Sequence, residues 1–84
     1  MAYHIEILKF EETDEMAKYK FRPTSSKYSI TDHGVFEINK KNGEVALLKQ
    51  VTNDTKNVFY MRAMFKILTC WRKGYLPEKE EWAS

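Results

Sequence analysis

The chain has 84 residues, of which 43% are hydrophobic and 31% charged, with a formal net charge of +2. This length accommodates one core and therefore one domain, residues 1–84, and the composition is too apolar for a chain that stays disordered. With one cysteine, Cys70, an intramolecular disulfide is impossible. The opening MAYHIEILKF lacks the pattern of a secretion signal, and no apolar run approaches the roughly 20 residues that span a bilayer. A cytoplasmic protein with no membrane-spanning role is expected.

Tyr3 to Phe10 reads as a strand in which Tyr3, Ile5 and Ile7 share one parity and Leu8 and Phe10 the other, a switch that a bulge or a two-sided environment explains. The acidic segment Glu11 to Glu15 follows as a solvated connection. Ala17 to Arg22 alternates cleanly: Ala17, Tyr19 and Phe21 face one way and Lys18, Lys20 and Arg22 the other, giving a half-buried strand with a basic outer face. Arg22 to Lys27 reads as a loop, Tyr28 to Thr31 as a short extended piece, and Asp32-His33-Gly34 as a turn.

The next stretch, FEINKKNGEVALL, presents two registers. Asn42-Gly43 favours a two-residue type I′ turn, which would set Ile38 opposite Leu47 and Phe36 opposite Lys49. A four-residue loop, Lys40 to Gly43 with Gly43 left-handed, instead sets Ile38 opposite Val45 and Phe36 opposite Leu47. All four apolar side chains then share one face in cross-strand pairs worth roughly 0.2–1 kcal/mol each, with burial added. Burial outweighs the turn preference, so the longer loop is expected. Asn39 suits its start, because its side chain can accept from amides further along the turn.

From about Asp54 to Lys73 the period becomes helical. Val58, Met61, Phe65 and Leu68, broadened by Met64 and Trp71, form the expected buried stripe. Asn53, Asp54 or Thr55 can cap the start, which is a better reading of that sequon than glycosylation, and Arg72, Lys73 and Gly74 suit a stop. No acid lies between Thr55 and Pro77, so this helix is basic. Tyr75 to Ser84 reads as an elbow and short tail, with a helical turn at Glu78 to Trp82 whose Trp82 folds back. The expected fold is α+β: a four-stranded antiparallel β-meander, five-stranded if the Tyr28 to Thr31 piece pairs, with one long C-terminal helix on one face.

The chemistry-bearing residues do not assemble into a motif. Cys70, His4 and His33 are scattered, without zinc spacing, and Cys70 reads as a small side chain at the core edge. His33 reads as a turn residue. The Glu11 to Glu15 run lacks the ligand spacing of an EF-hand, and neither glycine-rich phosphate fingerprint is present. No catalytic, metal or cofactor site is expected, and no small-molecule ligand is evident. In the chosen register Val35 stands opposite Leu48 beside Ala46 on the uncovered sheet face, a candidate protein interface. Lys18, Lys20 and Arg22 on the strand, with Arg62 and Lys66 on the helix, are the candidate anion or nucleic-acid contacts. Tyr19 and Phe21 point away from those strand cations, which argues for core and against a base-stacking platform. The leading expectation is a non-enzymatic protein-binding module of inhibitor, toxin-neutralising or regulatory type, with a protein partner or a second copy. A nucleic-acid accessory protein is the alternative.

Overall fold

The computed structural model describes residues 4–23, 33–51 and 57–83. It is an α+β fold, as the periodicity implies: five antiparallel strands in the order β4-β3-β2-β1-β5, with a single helix among the described residues. In chain order these are β1 (His4–Glu12), β2 (Met16–Pro23), β3 (Gly34–Asn39), β4 (Val45–Lys49), α1 (Val58–Arg72) and β5 (Lys79–Ala83). The Tyr28 to Thr31 piece lies outside the described residues, as do Asn53 to Thr55; the helix does not begin at Asp54, because its N-cap is Asn57, left-handed at φ 55° with no side-chain cap hydrogen bond, and its first residue is Val58.

The parity switch in β1 is a bulge. Lys9 pairs with Tyr19 and Glu11 with Lys18, so Phe10 is the extra residue. The strand extends through Glu12, and only then does Thr13 close the turn into β2, its Oγ1 accepting from the amides of Glu15 and Met16 at 3.2 and 3.1 Å. Ala17, Tyr19 and Phe21 are buried as their alternation requires. The β3–β4 hairpin takes the longer loop: Ile38 pairs with Val45 and Phe36 with Leu47, and Gly43 sits at φ 76°. Asn39 Oδ1 accepts from the amides of Lys41 and Asn42 at 2.8 and 3.3 Å. One step further the expected pairing fails. Val35 stands opposite Lys49, because Leu48 is accommodated as an extra residue on the edge strand.

The helical stripe requires a larger correction. The buried residues of α1 are Phe59, Ala63, Ile67 and Cys70, whereas Met61 and Phe65 are 56% and 63% exposed. Two apolar stripes run along this helix, and the sheet chooses between them. Its inner face carries the rings of Tyr19, Phe21 and Phe36, with centroids 5.6 and 5.7 Å apart and Tyr60 leaning on them at 6.1–6.2 Å. A layer already filled by rings is sealed by small side chains such as Ala63 and Cys70, which let the helix approach closely. Leu68 and Trp71, from the expected set, pack at the margin of this core.

The helix stops as expected. Gly74 is left-handed at φ 97°, its amide donates to the Trp71 carbonyl at 2.9 Å, and the Tyr75 amide reaches back to Cys70 at 3.2 Å. The tail then departs from expectation. Residues 79–83 form β5, which pairs along β1 from His4↔Ala83 to Leu8↔Lys79, in place of a helical turn. The edge of β1 offers backbone partners that local helix preference cannot match. Tyr19 secures the elbow by donating its hydroxyl to the Pro77 carbonyl at 2.6 Å, and burial raises the pKa of that phenol.

Candidate functional site

The face of α1 turned away from the sheet is built by helical spacing. At 100° per residue, Met61, Phe65 and Arg72 lie opposite the buried stripe, with Arg62 and Lys66 on one flank. On that flank β5 supplies Trp82, which stands opposite Ile5 and so points to the helix side. The Arg62 guanidinium lies 4.6 Å from the Trp82 ring centroid, a cation–π contact that joins helix and strand. Val58, Met61, Arg62, Phe65 and Trp82 together line an open groove of about 510 Å³. This volume falls within the roughly 300–1,000 Å³ typical of binding clefts.

The groove is apolar with one cation, Arg62, in its lining. α1 carries Arg62, Lys66 and Arg72 and no acid. The β5 carboxylates are directed elsewhere: Glu81 sits 3.6 Å from His4, and Glu80 Oε2 accepts from the Cys70 thiol at 3.9 Å. Cys70 itself is buried, and the hydroxyl of Tyr75 beside it has a raised pKa, chiefly through its hydrogen bond with that thiol. Among the described residues no group of three or more His, Cys, Asp or Glu side chains is placed to hold a metal ion. No described helix is long and apolar enough to cross a membrane.

The sheet face turned away from α1 is a charge mosaic. Lys79, Leu8, Lys20, Val35 and Lys49 succeed one another across the five strands. Beside that row Arg22 lies 3.0 Å from Glu6, and Lys18 lies 3.6 Å from Glu11 and opposite Glu37. Val35 is therefore flanked by two lysines, Ala46 stands opposite Glu37, and Leu48 is half-exposed at the edge. The candidate cations do not converge. Lys18, Lys20 and Arg22 line the open face, two of them beside carboxylates, while Arg62 and Lys66 lie on the helix layer.

At the elbow end, Lys9 Nζ donates to Glu12 Oε1 at 2.7 Å and to the Leu76 carbonyl at 3.3 Å, while Lys40 Nζ donates to Glu12 Oε2 at 2.8 Å. Hydrogen bonds from Lys40 and Lys9 bring the Glu12 pKa down to about 2. This cluster and the Trp71 indole, which donates to the Lys40 carbonyl at 2.8 Å, tie the hairpin to the helix end. A smaller hollow of about 280 Å³ lies there, lined by Glu12, Lys40, Trp71, Gly74, Tyr75 and Leu76.

No protein-family model, curated protein or solved structure matches this chain. Sequence reading missed Phe65, Met61 and Trp82 as surface residues because it counted the first two toward the core. The available signal was the surplus: α1 has more large apolar residues than one sheet face can cover.

Proposed function

We propose that this protein is a non-enzymatic protein-binding module whose docking surface is the groove between α1 and β5. The observation that carries this reading is the exposure of Phe65 and Met61 beside Trp82 on a helix whose other face already seals the core. Large apolar side chains held together at the surface cost solubility, and a partner that covers them recovers their burial. Aromatic and methionine anchors with an arginine at the margin match the composition of protein-binding hot spots. An inhibitor, a toxin-neutralising protein and a regulatory subunit share this requirement. Affinity capture from cells that make the protein tests it: wild type and Leu48→Asp retain a common partner that Phe65→Glu loses. Retention by Phe65→Glu with loss by Leu48→Asp would move the interface to the sheet face of Val35, Ala46 and Leu48.

One observation favours the alternative of nucleic-acid binding: Arg62 stands between Phe65 and Trp82 in the groove lining, so a cation is interleaved with rings there. Titration with labelled DNA and RNA at low and moderate salt tests this; salt-sensitive binding abolished by Lys66→Glu supports it, and no binding at low salt ends it.

A further inference from the structure

Resting on that reading, we infer that the groove takes an acidic amphipathic helix of a partner protein, with apolar anchors at i, i+3 or i+4, and i+7. Arg62 lines the groove, α1 carries Lys66 and Arg72 further along and no acid, and no carboxylate lines the groove among the described residues. A basic or neutral segment gains nothing from those cations, and an acidic one is both steered to them and held in register. Val58 to Phe65 extends over seven residues, roughly 10 Å at 1.5 Å each, which matches two turns of a facing helix.

A partner strand added to β5 fits less well. That edge is five residues long, Lys79–Ala83, which limits the backbone pairing a partner strand can make. A second copy of this chain offers Phe10, half-exposed beside Glu11 to Glu15, as an insert. Its acids are already largely engaged, Glu11 near Lys18 and Glu12 with Lys9 and Lys40.

The experiment is selection of displayed random 16-residue peptides on the full chain, with Phe65→Glu and Phe65→Ser for counter-selection and circular dichroism to verify that both variants fold. The enriched peptides should be net acidic with helical anchor spacing. A synthetic peptide of the consensus sequence should lose at least tenfold in affinity on both variants and on reversal of its acids to lysine, and should weaken with salt. A neutral or basic consensus, or anchors alternating at i, i+2, would overturn the inference while leaving protein binding at the groove intact. Absence of any peptide that discriminates wild type from the variants would overturn both. Sedimentation velocity covers the remaining occupant: a concentration-dependent dimer abolished by both Phe65→Glu and Phe10→Ser would make the insert a second copy and overturn the inference.

Discussion

The two faces of α1 have similar apolar content and opposite fates. Phe59, Ala63, Ile67 and Cys70 disappear into the sheet, while Val58, Met61 and Phe65 line an open groove. The buried stripe alternates large and small side chains and conforms to a ring-filled layer. The outer stripe places its largest residues in water. Hydrophobicity alone does not distinguish them; the volume already present on the facing sheet does. A stability role accounts for the first face, and the second face requires a different explanation.

Truncation separates the two faces most strongly. Ile67→Ala should cost about 2–5 kcal/mol, because it removes fully buried volume, whereas Phe65→Ala should change stability by about 0.5 kcal/mol or less. Urea unfolding of the two variants checks the pair, and equal losses would refute the assignment of faces. Enlargement separates them by a smaller margin. Ala63→Leu should cost about 1–3 kcal/mol through overpacking against the sheet, while Met61→Leu should be nearly neutral in the same denaturation experiment.

A smaller effect separates the core from the ion-paired elbow. The Glu12 carboxyl is held at about 2, against an ordinary 4.5, by Lys40 and Lys9. Its charged form is favoured in the folded state, so its contribution is complete above pH 4.5 and fades as pH falls toward about 2. Because this side chain is 37% exposed, solvent screening keeps the contribution small. The stability gap between wild type and Glu12→Gln should therefore narrow on acidification through that window, and added salt should narrow it at neutral pH. A gap that widens on acidification would contradict the pairing.

Much of this fold is legible in the sequence because local chemistry and burial agree. Asn39, Gly43 and four paired apolar residues specify the β3–β4 register, and Gly74 specifies the helix stop. Where they fail to agree, the sequence is ambiguous. The outer stripe of α1 is as periodic as the inner one, and only the assembled rings of Tyr19, Phe21 and Phe36 select between them. β5 contains one large apolar residue, Trp82, among helix-favouring acids, so its strand depends on the exposed edge of β1. The open sheet face reads as basic along β2, yet register places Glu6, Glu11 and Glu37 beside those cations. The groove was illegible for the same reason as the helix face: both require knowing which residues the core does not use.

Site-specific photo-crosslinking in cells that make the protein, with a photoreactive residue placed in turn at 65, 35, 46 and 48, locates the docking surface. A discrete protein adduct at position 65, absent at the three sheet positions, is the predicted result. Adducts confined to the sheet positions, or none at position 65, would contradict it.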